Sequence, residues 1–170
     1  MRKAWYLLLL VCLALACKKA TTDSPLDSCN LAETKTINSG KVSITSGVWG
    51  TVSHRQGNCM PTASKQGTTC LECPMQSQVR IYAYTTFQNA KPATSGSPYF
   101  DSFSTTLFKT VNTDTQGFFQ AQLPDGKYTI ALVQQGKLYA SMFDGQGGVW
   151  PLNVQQGKVN MNLVLDQAVY

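Results

Sequence analysis

Apolar and polar residues alternate with a period of two along much of this chain. Val79, Ile81 and Ala83 fall on one face, and Arg80, Tyr82 and Tyr84 on the other. Tyr128, Ile130 and Leu132 are in phase, as are Val159, Met161, Leu163 and Leu165. This period predicts half-buried strands. Strands are expected at 42–45, 47–52, 78–86, 106–111, 118–123, 128–133, 138–143 and 159–165. Residues 149–154 are interrupted by Pro151 and read as edge or irregular. Turn chemistry separates the later runs: Thr113-Asp-Thr-Gln-Gly117, Pro124-Asp-Gly126, Gln134-Gln-Gly136 and Gln155-Gln-Gly157. Two long loops stand out. Residues 53–77 hold three cysteines, and 88–98 are rich in Ser, Pro and Gly. No stretch of ten residues beyond the leader has helical periodicity. Short strands at this spacing predict an all-β antiparallel sandwich of about seven strands, spanning residues 42–170.

The pattern at the front is different. Arg2 and Lys3 precede an unbroken apolar run from Leu7 to Ala16, and small residues Ala14 and Ala16 precede Cys17. A membrane span needs about 20 apolar residues, so this run is too short to cross. A basic start, a short apolar run and small residues form an export signal. Ala14-Leu15-Ala16-Cys17 resembles the end of a bacterial lipoprotein signal, although that pattern usually has Leu where Ala14 stands. The resemblance implies cleavage after Ala16 and lipidation of Cys17. Residues 1–16 are then the signal, and 17–41 are the lipidated cysteine with a flexible tether, small, polar and broken by Pro25. Lys18 follows Cys17 where an Asp would signal inner-membrane retention, so the resemblance favours an outer-membrane anchor.

A second resemblance lies in Thr110 to Val133. Thr113, Asp114, Gly117, Phe118 and Phe119, followed by Leu123, Pro124, Gly126 and Tyr128, are similar to the carboxypeptidase regulatory-like domain, a transthyretin-type sandwich. Gly47 to Val52, Val79 to Tyr84 and Lys158 to Leu165 resemble its opening, second and last strands. The likeness covers about residues 45–166, and the Cys-bearing insertion at 55–76 departs from it. That family consists mostly of non-catalytic accessory modules.

Composition narrows the function classes. The chain carries 14 Lys+Arg and 9 Asp+Glu, a net charge of +5. Loss of Arg2 and Lys3 lowers this to +3, and the remaining cations are scattered. No basic stripe forms, so nucleic acid is not an expected partner. Cys12 leaves with the signal and Cys17 takes lipid. Cys29, Cys59, Cys70 and Cys73 remain, and in an oxidising compartment they are expected as two disulfides. Cys70 and Cys73 are too close to be preferred partners, so Cys59 pairs with one of them and Cys29 with the other.

The alternative is a metal site or enzyme accessory, with Cys59, Cys70, Cys73 and His54 around Zn²⁺. A redox Cys-x-x-Cys lacks the helix that should follow it. His54, the sole histidine, has no nucleophile elbow to serve. Asp144 in Asp-Gly-Gln-Gly-Gly offers one carboxylate to Ca²⁺, where several are needed. No two acids fall on evidently convergent loops, so glycosidase chemistry has no basis. The expectation is a non-catalytic structural or binding module without cofactor or metal. Its partners would be a membrane, through the lipid, and a protein or glycan. Trp49, Tyr82, Tyr84, Tyr99 and Tyr139 are more readily core than stacking platform. Trp150, beside a glycine run, is expected to be exposed and to anchor a partner docked on loops 54–76, 88–100 and 144–151.

Overall fold

A computed structural model describes residues 29–61 and 69–170. The expected signal, Cys17, and the tether as far as residue 28 lie outside the described residues. So does the middle of the first long loop, 62–68.

The described residues form one short α-helix and twelve strands in two sheets. β1 (Gly47–Gln56) is the spine of the first sheet. Its first half pairs antiparallel with β7 (Phe118–Gln122) and parallel with β11 (Lys158–Asn160). Its second half pairs antiparallel with β2 (Leu71–Pro74) and parallel with β12 (Leu163–Asp166). The second sheet runs β4 (Ala90–Pro92), β5 (Tyr99–Phe103), β9 (Lys137–Tyr139), β8 (Gly126–Gln134), β3 (Gln78–Ala83), β6 (Leu107–Asn112). β10 (Pro151–Val154) pairs with the start of β8. The all-β sandwich follows from the alternation, since inward residues of both sheets merge into one core. Val48 and Val52 of β1, Val79 and Ile81 of β3, Ile130 and Leu132 of β8, and Leu163 and Leu165 of β12 are almost wholly buried.

Several expectations require correction. The described residues hold twelve strands rather than about seven, in part because β2, β4 and β5 lack a clean alternation. β5, Tyr-Phe-Asp-Ser-Phe, buries Phe100 and Phe103 but exposes the two residues between them. The run 159–165 is two strands. Two pairings of β1 are parallel, so the sandwich is only mostly antiparallel.

Residues 42–45 are not a strand. The Gln120 side-chain carbonyl accepts from the N–H groups of Ser43 (2.9 Å) and Ile44 (3.4 Å), and that of Gln122 from Thr45 (3.3 Å). These side chains of β7 replace the ladder that a neighbouring strand would have supplied.

Ordered structure extends ahead of residue 42, because α1 (Leu31–Ser39) occupies part of the stretch expected as tether. Asn30 caps it: its Oδ1 accepts from Glu33 N–H at 3.1 Å, and its Nδ2 donates to Glu33 Oε2 at 3.0 Å. The helix docks through a polar residue. Asn38 is fully buried and donates to Thr51 Oγ1 (2.9 Å) on β1 and to the Gln116 carbonyl (3.0 Å). This covers the outer face of β1, where Thr51 and Ser53 are buried as deeply as Val48 and Val52.

Candidate functional site

The cysteine loop is a staple. Cys29 is joined to Cys73, and Cys59 to Cys70. The first bridge ties the start of α1 to β2, and the second closes the β1–β2 hairpin. With all four sulfurs in disulfides, no thiolate is left for the zinc set weighed as the alternative. His54 Nε2 lies 2.9 Å from Gln167 Oε1, and Gln167 Nε2 donates to Tyr99 OH at 3.0 Å, so the imidazole faces an amide and not a nucleophile. Among the described residues, no three His, Cys, Asp or Glu side chains are grouped to hold a metal.

The fold does bring two acids together, Glu72 and Asp166, on either side of Arg55. The guanidinium donates to Glu72 Oε2 through Nε (2.9 Å) and a terminal nitrogen (2.7 Å), and to Asp166 Oδ2 at 3.0 Å. Tyr170 OH donates to Asp166 Oδ2 at 2.7 Å and accepts from Arg55 at 3.1 Å. Hydrogen bonds that it donates to Tyr170 and Glu72 hold Arg55 above its ordinary range. Burial pushes both carboxyls up. The Ser53 hydroxyl and Arg55 outweigh it at Glu72, and Tyr170, the Ala168 N–H and Arg55 outweigh it at Asp166, so both stay below the usual carboxylate range. This charge-assisted cluster, with two guanidinium nitrogens on one Glu72 oxygen and a third on Asp166, clamps β1, β2 and β12 together and leaves both acids paired.

The chemically open part of the molecule is formed by the loops around 85–100 and 141–150. Phe87 begins a 3-10 turn (Phe87–Asn89) and its N–H donates to the Gly147 carbonyl at 2.9 Å. Thr86 bridges to Gly148, and Phe143 to Val149. Val149 N–H donates to the Thr85 carbonyl at 2.9 Å. The two loops are therefore fastened to each other through their backbones. Asp144 sets the second loop: its Oδ1 accepts from the N–H groups of Gln146 (2.8 Å) and Gly148 (2.9 Å), and its Oδ2 accepts from Tyr84 OH. The Tyr84 bond, then these amides, hold the carboxyl below its usual range. The loop thus points N–H groups at a carboxylate, which is the wrong polarity for the Ca²⁺ weighed there. Gly148 is required by contact, since a Cβ there would collide with Tyr84 OH and Asp144.

Trp150 is not the exposed anchor expected from its glycine-rich surroundings. It is 2 % exposed and packs edge-on against Tyr139, with ring centroids 5.9 Å apart. Its φ of +33° is a strained value for a bulky residue. Its N–H donates to the Met142 carbonyl at 2.7 Å and its carbonyl accepts from Ile130 at 3.1 Å, so the backbone closes the loop while the indole enters the core.

What this turn presents instead is Phe143. Its ring stacks on Phe87 with centroids 4.7 Å apart and planes 29° from parallel. Phe87 is 51 % exposed, Phe143 46 % and the adjoining Met142 59 %. The pair walls an open groove of about 410 Å³, completed by Pro92, Pro98 and Ser141, with buried Phe100 also lining it. A second groove of about 320 Å³ takes in Tyr99, Thr94, Gln134, Gln135 and Lys137, and shares Ser97 with the first. Of the three loops expected to carry binding, 88–100 lines the first groove together with Phe143, which lies just before the third, 144–151. None of the described residues of 54–76 does. Phe87 and Phe143 were missed because each sits just outside a loop, at the end of an apparent strand. The signal available was Phe143 directly before Asp-Gly-Gln-Gly-Gly. No protein-family model, no curated protein and no solved structure matches this chain.

Proposed function

We propose that this chain is an exported lipoprotein, anchored at the outer membrane through Cys17. On this reading it acts without catalysis, as a carboxypeptidase regulatory-like binding module that uses the end of the sandwich bearing Phe87 and Phe143. The observation that carries the binding role is the stacked, half-exposed aromatic pair at the mouth of the groove. Two large rings held together in solvent by paired backbone segments are costly to leave wet, and such patches mark interaction sites. Two disulfides fit an oxidising compartment. The basic start, the ten-residue apolar run and Ala16-Cys17 support export and lipidation. The non-catalytic reading is supported by the pairing of Glu72, Asp166 and Asp144, each of which has its charge satisfied within the fold. The test is growth with a labelled fatty acid, followed by membrane fractionation. The wild type should take the label and sediment with outer membranes, and Cys17→Ser should do neither. Label retained in Cys17→Ser overturns the anchor.

A further inference from the structure

We infer that the partner of the Phe87–Phe143 end is the phospholipid bilayer itself, into whose interface the two rings and Met142 insert. The inference rests on the anchored-module reading for the nearness of a membrane, but not for the chemistry of the patch.

Three side chains form the apolar tip: Phe87, Met142 and Phe143, each about half exposed or more. Their backbones are fixed to one another through Gly147, Gly148 and Trp150, so inserting them orders little that is not already ordered. A second apolar exposure on this sheet is at the start of its edge strand β6. Leu107 and Phe108 open β6, whose entry is held by Thr106 accepting from Ala83 and by the Thr85–Thr105 hydroxyl pair. They are 45 % and 50 % exposed. Cations accompany these residues. Lys127 lies 5.2 Å over the Tyr84 ring, Lys109 follows Phe108, and Lys91 and Lys137 share the single carboxylate of Asp101. Aromatic and Met side chains beside lysines suit the boundary between acyl chains and anionic head groups.

The length of chain ahead of the domain favours a bilayer over a protein groove partner. Residues 18–28 extend to at most about 36–40 Å. A domain of this size has a radius of gyration of about 15 Å. The chain ahead of the domain is therefore about as long as the domain is wide, and keeps the domain within reach of the membrane that holds Cys17. Lipid is then present at the effective millimolar concentrations of a short tether, at which a small patch suffices. Lipid chains alone hold proteins reversibly, and a second contact makes anchoring stable.

The test uses the exported chain carrying Cys17→Ser, so that no lipid is attached. It is titrated to millimolar lipid with vesicles of phosphatidylethanolamine and phosphatidylglycerol. With Phe143→Trp added, the emission above the Trp49 and Trp150 background should shift to the blue and be quenched by brominated acyl chains. Phe87→Ser with Phe143→Ser, checked for an unchanged sheet spectrum, should lower vesicle partition about tenfold or more. Emission unmoved at millimolar lipid, or equal partition of the double variant, overturns the inference and leaves a protein or peptide as the occupant of the groove. If Cys17 takes no lipid in cells while the quenching is seen, the anchor is wrong and the docking stands.

Discussion

Asp114 and Asp144 build the same loop in two places. In each, Oδ1 accepts from the N–H groups two and four residues on: Gln116 and Phe118 in one, Gln146 and Gly148 in the other. In each, Oδ2 takes a side-chain donor, Lys41 Nζ at 2.6 Å in the first and Tyr84 OH in the second. The surroundings are opposite. The Asp114 loop joins the two sheets under α1, with Asn38 bonded to the Gln116 carbonyl and Lys41 over the Phe118 ring. The Asp144 loop has Gly145 and Gly147 in open space and carries Phe143 beside it into solvent. One carboxylate motif therefore serves as a fastening in one place and as a mount for exposed rings in the other. The motif sets the backbone, and what packs over it sets the role.

The largest way to break this comparison is to release the cover of the Asp114 loop. Cys29–Cys73 closes 44 residues and Cys59–Cys70 closes 11. By chain entropy the first contributes about 4 kcal/mol and the second about 3 kcal/mol. Denaturant midpoints should show Cys29→Ala with Cys73→Ala as the more damaging pair. That pair should also expose the Asp114 loop to proteolysis while leaving Phe87 and Phe143 in place.

Next comes a pair of glycines at similar φ, +71° for Gly117 and +87° for Gly147. Any side chain strains both. At Gly117 the new Cβ would also collide with the Val52 carbonyl, whereas at Gly147 nothing lies within 4 Å. Gly117→Ala should cost about 3 kcal/mol or more and Gly147→Ala about 1 kcal/mol. Equal losses in thermal unfolding would mean that the two loops are equivalent after all.

A smaller effect is the acid limb of stability. At Asp114, burial raises the carboxyl, but Lys41 and the Phe118 and Gln116 amides outweigh it, so the folded value lies below the ordinary one. A depressed carboxylate stabilises the fold above its unfolded value of about 4, and that contribution is lost as pH falls through the folded value. Asp166 and Glu72 act in the same direction. Unfolding free energy should therefore be flat above about pH 5 and fall below about pH 4. Asp114→Asn should flatten that fall more than Asp144→Asn, because only Asp114 also loses an ion pair, with Lys41.

Much of this fold was legible from alternation, because β1, β3, β7, β8 and β12 each bury one side-chain period in the common core. What was not legible depended on polar docking. α1 has too little apolar periodicity to announce itself and is held by Asn38 and a disulfide. Residues 42–45 alternate like a strand, but Gln120 and Gln122 take the place of their neighbour. The disulfide partners could be narrowed by spacing, whereas the site could be read only as a set of loops. Trp150 is buried where exposure was expected, on a backbone at φ +33°. No local sequence rule predicts that conformation for a tryptophan.

Amide hydrogen exchange tests most directly whether the two loops differ in role. The amides of Gln116 and Phe118 should exchange only with global unfolding. Those of Gln146 and Gly148 should exchange by local opening, faster by on the order of 10²–10³. Matching protection at the four amides would show that the Asp144 loop is as deeply fastened as the Asp114 loop, and would contradict the division between a structural loop and a presenting one.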